Sequence, residues 1–276
     1  MLRQFREVDV FTDVPYRGNP LAVVLGADGL TTKQMQQFAN WTNLSETTFV
    51  LKPDAAQADY RVRIFTPSQE LPFAGHPTLG TCHAWLEAGG SPRRRGTMIQ
   101  ECGAGLVTVS TDEDGLKFGA PPLVRSGPVD EQLARHIADV LRIGRAEIVD
   151  LQWADNGPGW IAVLLASAEA VLAVKPGPTD LDLGIAGPYP PGGPAAFEVR
   201  AFVPKNGATD EDPVTGSLNA SLAQWLIASG HAAAPYVARQ GTALGRDGIV
   251  RISTDADGQV WVGGGTVTCV SGMVDL

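Results

Sequence analysis

The feature that most constrains this chain is a motif that occurs twice, about half a chain apart. Residues 63–81 read RIFTPSQELPFAGHPTLGT, and residues 200–217 read RAFVPKNGATDEDPVTGS. Each copy begins with an Arg-x-Phe-x-Pro strand pattern and runs into an apolar helical pattern that ends in Trp-Leu. Arg63 and Arg200 are 137 residues apart in a chain of 276 residues. A period of half the chain indicates two similar domains, because solenoid repeats are far shorter.

Each copy also contains a pattern that is typical of a helix N-terminus. Asp212-Pro213 predicts a helix start, because Asp caps free backbone N–H groups and Pro fits the first helical position. His76-Pro77 occupies the matching place in the first copy. Two helix N-termini, one per domain, predict a small-anion site in the cleft between the domains. An ordinary capped helix explains either copy alone, but the half-chain spacing favours the paired site.

The pattern of strands and helices predicts two domains of the same α+β class. Strand patterns dominate both halves, and a turn at 155–158 between two of them predicts a hairpin. Neither half alternates strands and helices as a parallel βαβ sheet does. We therefore predict two pseudo-symmetric domains, each a mostly antiparallel sheet curling round a central helix. Their predicted bounds are 1–120 and 121–276, and the last strand, near 266–276, is able to return to the first domain.

Composition limits the partners of the protein. With 44% apolar and 18% charged residues, the chain is typical of a globular protein with a substantial core. Its net charge of −9 argues against nucleic-acid binding, which needs a basic face. The first residues lack the apolar core of a signal peptide, and no apolar stretch is long enough to span a bilayer. We expect no membrane partner.

Cysteines and histidines give no sign of a metal site. Cys82, Cys102 and Cys269 are an odd number at unrelated spacings, which predicts reduced thiols in a cytoplasmic protein. The four histidines form no metal-ligand pattern. We therefore predict that no metal is bound.

Four polar residues are candidates for chemistry, and each also has a simpler explanation. Glu46 precedes an apolar strand, and a carboxylate beside buried apolar surface can exchange a proton near neutral pH; the alternative is a partly exposed Glu at a strand end. His76 can act as an acid, a base or a hydrogen-bond donor to a substrate; the alternative is a histidine at a helix terminus whose ring is hydrogen-bonded to the backbone. Asp212 is explained equally well by helix capping. Ser217 lacks the nucleophile-elbow pattern but can donate its hydroxyl to a bound carboxylate.

Four segments together resemble the PhzF-like phenazine-biosynthesis family. They are GNPLAVV at 18–24, NLSETTFV at 43–50, the first copy of the repeat at 63–81, and EDPVTGS at 211–217. The resemblance covers essentially the whole chain. It implies the diaminopimelate-epimerase-like fold, in which two similar domains each wrap a barrel-like sheet around a central helix.

The resemblance also implies a reaction. Amino-acid epimerases of this fold place a catalytic cysteine at the helix start of each domain, but here the matching places are His76 and Asp212, which disfavours a two-thiol racemase. The resemblance implies instead an isomerase without metal or organic cofactor. It would move a proton in a small unsaturated cyclic carboxylic acid such as trans-2,3-dihydro-3-hydroxyanthranilate, with Glu46 as general acid/base in the interdomain cleft.

Further site residues and an assembly follow from the same resemblance. His76 and Asp212 are expected to join Glu46 in catalysis, and the family resemblance implies a homodimer. The substrate-binding residues implied are Asn19, Ser45, Gly75, Thr215, Gly216 and Ser217. Two alternatives stay open: an isomerase or epimerase of another small amino or carboxylic acid, and a non-catalytic binding or scaffold protein on the same fold.

Overall fold

The computed structural model describes residues 1–276, which divide into two units. The first unit comprises Met1–Gly119 together with Gly263–Leu276, and the second comprises Ala120–Val262. None of the helices combines the length and the apolar character that a membrane span requires.

The first unit is built mainly from strands. Its elements are β1 (Leu2–Val10), β2 (Asn19–Val24), α1 (Thr32–Thr42), β3 (Glu46–Leu51), β4 (Tyr60–Phe65), β5 (Glu70–Leu71), α2 (Gly75–Glu87), β6 (Thr97–Cys102), β7 (Gly105–Asp112), β8 (Gly115–Gly119) and, from the end of the chain, β18 (Thr266–Asp275). Strand β1 pairs antiparallel with both β2 and β18, so the last strand of the chain lies beside the first. Two pairs are parallel, β2 with β3 and β4 with β6.

Helix α2 is the buried centre of this unit. Its first eight residues are all buried, which is typical of a helix that has no polar face to turn towards water. A side chain at Gly80 would place its Cβ 2.7 Å from Leu21 Cδ2 and 2.8 Å from Val10 Cγ2. Glycine at this position therefore allows the helix to lie directly against β1 and β2.

Helix α1 lies on a smaller, separate core. Its N-terminus has the capping box in which Thr31 and Gln34 bond each other. Met35 and Phe38 pack on Phe49 of β3 and on neighbouring apolar residues. This helix therefore buries one face, whereas α2 is enclosed on nearly all sides over its first eight residues.

The second unit has the same kind of construction. Its elements are β9 (Arg125–Pro128), α3 (Glu131–Leu141), β10 (Ile148–Asp155), β11 (Ile161–Leu165), α4 (Ala168–Ala173), β12 (Leu183–Pro188), β13 (Phe197–Lys205), β14 (Ala208–Asp212), α5 (Gly216–Ala228), β15 (Tyr236–Gln240), β16 (Gly248–Thr254), β17 (Val260–Gly264) and the 3₁₀ turns Arg145–Glu147 and Thr242–Leu244. Strands β10 and β11 form the predicted hairpin. Parallel pairing occurs between β11 and β12 and between β13 and β15. Helix α5 is the buried helix of this unit.

The second central helix begins later than the sequence predicts. The sequence places its start at Asp212-Pro213, but Asp212 is the last residue of β14 and α5 begins at Gly216. The Asp212 carboxylate accepts a hydrogen bond from the Thr215 hydroxyl, at 2.5 Å, and the Asp212 carbonyl accepts one from the Gln240 amide, at 3.0 Å. Asp212 is therefore held by neighbouring polar groups and does not cap the helix.

The later start of α5 changes which residues of the two copies correspond. His76 is the second residue of α2, and Ser217 is the second residue of α5. By position in the helix, His76 therefore corresponds to Ser217 and not to Asp212. Gly75 and Gly216, the first residues of the two helices, correspond in the same way.

We predict that Gly184→Ala destabilises the protein by about 1–3 kcal/mol, because the added Cβ overfills a packed core. That atom would overlap Leu218 Cδ1 and lie 2.8 Å from Cδ2, and Leu218 is fully buried. Urea unfolding followed by circular dichroism measures the change. Gly272→Ala, also in a strand but with open space around the added atom, is the control and should change stability by less than about 0.5 kcal/mol. Equal effects of the two substitutions would contradict the prediction.

Candidate functional site

The predicted residues of the first unit gather where β2 and β3 begin. Asn19 is the first residue of β2 and Glu46 the first of β3. The two strands are parallel, and Leu21 pairs with Glu46. Ser45 directly precedes β3. Because parallel strands begin at the same edge of a sheet, Asn19, Ser45 and Glu46 lie at one edge of this unit.

Helix α2 brings His76 to this edge. The Nδ1 atom of His76 lies 3.4 Å from Oε2 of Glu46. The His76 side chain is 4% exposed and the Glu46 side chain 17% exposed. The structure thus places the predicted acid/base residue beside the predicted histidine, with limited access to water for both.

Burial controls the charge of His76. Desolvation lowers the pKa of His76 from 6.5 to about 3, although a hydrogen bond to the backbone of Pro20 acts in the opposite direction. The imidazole is therefore neutral near pH 7. Its Nε2 atom is buried and has no hydrogen-bond partner within the protein. A neutral imidazole with one unused nitrogen is suited to a hydrogen bond with a ligand.

The N-terminus of α2 supplies further donors. The N-cap residue of this helix is Ala74, whose side chain makes no capping hydrogen bond. The first backbone N–H groups of a helix have no partner within it, and here they include those of Gly75 and His76. Such a terminus favours a carboxylate or another anion.

One further residue of this region was not identified from the sequence. The Asp9 carboxylate accepts hydrogen bonds from the backbone N–H groups of Arg17, at 2.7 Å, and Gly18, at 2.9 Å. These bonds fix the turn that leads into Asn19. The Gly-Asn-Pro pattern indicates a turn, but no local signal shows that a residue on β1 would hold it.

The predicted residues of the second unit lie around the start of α5. Thr215 is its N-cap, and Gly216 and Ser217 are its first two residues. The Thr215 hydroxyl donates to Asp212 Oδ2 at 2.5 Å, so Thr215 and Asp212 are in contact. The Thr215 side chain itself makes no capping hydrogen bond. Asp212, Thr215, Gly216 and Ser217 are therefore close together within the second unit.

A buried amide, which sequence reasoning missed, organises this helix start. The fully buried Gln240 accepts hydrogen bonds from the Thr215 N–H, at 3.0 Å, and from the Asn219 amide, at 2.8 Å. It donates to the Asp212 carbonyl and the Thr215 hydroxyl. Gln240 lies on β15, so only the path of the chain brings it to the helix.

The cysteines lie away from both helix starts. Cys82 is the eighth residue of α2 and fully buried, and burial raises its pKa to about 12. Cys102 ends β6, and Cys269 lies within β18. A thiol with a raised pKa carries little thiolate near pH 7, and the thiolate is the form that acts as a base or a nucleophile. No cysteine occupies the first or second position of either central helix. No group of three or more His, Cys, Asp or Glu side chains is placed to hold a metal ion.

Comparisons with known proteins were made for the whole chain. The family model described as "Phenazine biosynthesis-like protein" matches residues 8–272. The Schizosaccharomyces pombe protein "Antisense-enhancing sequence 1" is 37% identical, over 97% of this chain and 97% of its own. The "Trans-2,3-dihydro-3-hydroxyanthranilate isomerase" of Pseudomonas aeruginosa is 32% identical, over 89% of this chain and 88% of its own.

A solved structure supports the fold. The crystal structure of a PhzF-family protein from Bacillus anthracis aligns over 100% of both chains, with a TM-score of 0.85 at 22% identity. This likeness confirms the predicted α+β, epimerase-like fold. The family match confirms the resemblance that the sequence motifs indicate.

We predict that the His76 imidazole stays neutral from about pH 7.5 down to about pH 5. Because its folded-state pKa of about 3 lies below the ordinary value of 6.5, the unfolded chain binds the proton more readily between these values. The contribution of His76 to the free energy of unfolding is therefore fully present above pH 6.5. It falls on acidification, by at most about 1.4 kcal/mol per pH unit. A ¹⁵N NMR titration, with the His76 signals assigned by their loss in His76→Gln, measures the charge directly. A midpoint near pH 6 would contradict the prediction.

Proposed function

This chain belongs to the phenazine biosynthesis-like protein family and is an isomerase, and we propose that it moves a proton within a small unsaturated cyclic carboxylic acid. The relative from Pseudomonas aeruginosa is named an isomerase of trans-2,3-dihydro-3-hydroxyanthranilate, and we propose a substrate of this chemical class. In this proposal Glu46 removes and returns the proton, and no metal or organic cofactor takes part.

The observation that carries the proposal is the pairing of Glu46 with a buried, neutral His76. The distance from Glu46 Oε2 to His76 Nδ1 is 3.4 Å. A proton carrier must be stable both with and without its proton, since it passes through both states in each turnover. A neutral imidazole beside Glu46 adds no positive charge that would favour the carboxylate over the carboxylic acid.

The proposed proton transfer needs no second reactant, because Glu46 returns the proton that it removes. The Glu46 carboxylate takes a proton from a ring carbon, and the electron pair of that C–H bond spreads into the conjugated acid. The double bonds then shift, and Glu46 returns the proton to another ring carbon. Backbone N–H groups at Gly75 and His76 are suited to stabilise the charge that accumulates on the substrate carboxylate.

The other predicted residues receive binding roles in the proposal. Asp212 is proposed as a further catalytic residue that polarises the substrate. The proposed substrate-binding residues are Asn19, Ser45, Gly75, Thr215, Gly216 and Ser217. Their support is the family match and their place within each unit: Asn19 and Ser45 lie where β2 and β3 begin, and the other four lie at the starts of the central helices.

We predict that Glu46→Gln lowers kcat for trans-2,3-dihydro-3-hydroxyanthranilate by at least about 100-fold, because general acid/base catalysis contributes about 10²–10⁴-fold. Loss of the substrate absorbance band measures the rate, and Glu113→Gln, at an exposed position, is the matched control. In D₂O, the product should gain deuterium at one carbon with the wild type.

The outcomes separate the alternatives. Binding of this compound without turnover would keep the site and move the activity to another small amino or carboxylic acid. Neither binding nor turnover would favour a non-catalytic protein on the same fold. Full activity of Glu46→Gln would overturn the role of Glu46.

We further propose a cytoplasmic homodimer. The homodimer rests on the family resemblance, and the location rests on the odd, unpatterned set of cysteines. Multi-angle light scattering should give twice the mass of the chain at micromolar concentration, and a monomer mass across that range would contradict the dimer.

A further inference from the structure

We propose that Trp160 is a positioning residue that aims the Ser217 hydroxyl, so that this hydroxyl donates a hydrogen bond to the substrate carboxylate. The inference rests on the proposed function, in which Ser217 binds substrate. Its starting observation is that Nε1 of Trp160 lies 3.1 Å from Oγ of Ser217.

The chemistry of the two groups fixes the direction of this hydrogen bond. An indole N–H is a donor only, whereas a hydroxyl both donates and accepts. Ser217 Oγ must therefore accept from Trp160, and its own hydrogen must point elsewhere. No acceptor of the protein takes that hydrogen. Ser221 of the same helix shows the usual alternative, since its hydroxyl donates to the Leu218 carbonyl at 3.1 Å.

Hydrogen bonds hold the turn that carries Trp160 in one conformation, so the Trp160 indole N–H is a donor in a fixed position. The Asp155 carboxylate accepts hydrogen bonds from the backbone N–H groups of Gly157 and Gly159, both at 2.7 Å. Both glycines have positive φ angles, which other residues rarely adopt. The Asn156 amide donates to the Ser217 carbonyl at 2.8 Å, and Trp160 is 3% exposed. The same turn thus holds Ser217 through both its main chain and its hydroxyl.

The first unit contains a comparable arrangement. There the Asp9 carboxylate accepts hydrogen bonds from the backbone N–H groups of Arg17 and Gly18, in the turn that leads into β2. His76 and Ser217 are the second residues of the two central helices. In both units, therefore, an aspartate carboxylate accepts hydrogen bonds from two backbone N–H groups of a turn.

The test is a double-mutant cycle. Trp160→Phe keeps an aromatic ring and removes the N–H donor, and Ser217→Ala removes the acceptor. With trans-2,3-dihydro-3-hydroxyanthranilate we expect Ser217→Ala to lower kcat/KM by about 10- to 100-fold, the range for a hydrogen bond to a charged group. Trp160→Phe should raise KM by about 3- to 10-fold, and the double variant should be no worse than Ser217→Ala.

Two results would overturn the inference. One is an unchanged KM in Trp160→Phe. The other is a loss of kcat/KM in the double variant equal to the product of the two single losses, since Trp160 would then act independently of Ser217. Trp261→Phe is the matched control, because the Trp261 indole donates to Asp255 at 2.9 Å, outside the proposed site; it should leave KM unchanged. If Ser217→Ala alone has no effect, the binding role of Ser217 in the proposed function fails.

A substrate-independent measurement separates the two proposals. The indole ¹⁵N–¹H signal of Trp160, assigned by its loss in Trp160→Phe, should shift in Ser217→Ala without any ligand. If the wild type does not turn over the proposed substrate, 2-aminobenzoate serves as the carboxylate probe in calorimetric titrations of the same four proteins. Each single substitution should weaken its binding and the double no further. Unchanged affinity, or no binding to the wild type, would overturn the inference.

Discussion

Each unit depends on the burial of one helix that is enclosed on nearly all sides. Helices α2 and α5 have buried residues around most of their circumference, so the strands must surround them, and small residues such as Gly80 and Gly184 allow close approach. Neither N-cap residue, Ala74 or Thr215, caps its helix through its side chain. The first backbone N–H groups of a helix have no partner within it, so both helix starts are suited to binding an anion.

Polar side chains connect each central helix to the strands around it. Gln100 and Gln240 are both fully buried, and each donates to a threonine near the helix start, Thr78 in α2 and Thr215 before α5. A buried amide must find partners, so these bonds fix the helix start relative to the sheet. The arginines that occur in both copies of the repeat, Arg63 and Arg200, also connect strands.

The Arg63 guanidinium binds both carboxylate oxygens of Glu70, and the Arg200 guanidinium binds both of Glu211. Each bidentate pair joins the two strands of the hairpin that leads towards the central helix. At the start of α2, packing determines the charge of a side chain. The burial that the core requires also keeps His76 neutral beside Glu46.

The sequence by itself determined the two-part α+β plan, the central helices and the motifs that hold Glu46 and His76, because periodicity and turn residues encode local structure and burial. Only the tertiary structure decided the start of α5, the correspondence of His76 with Ser217, and the hydrogen bonds of Gln240 and Trp160. Asp212 has the local signature of a helix cap, yet bonds to Thr215 and Gln240 hold it on β14 instead. Trp160 and Ser217 are 57 residues apart, and no local pattern specifies a hydrogen bond over such a separation. Such contacts depend on the path of the whole chain.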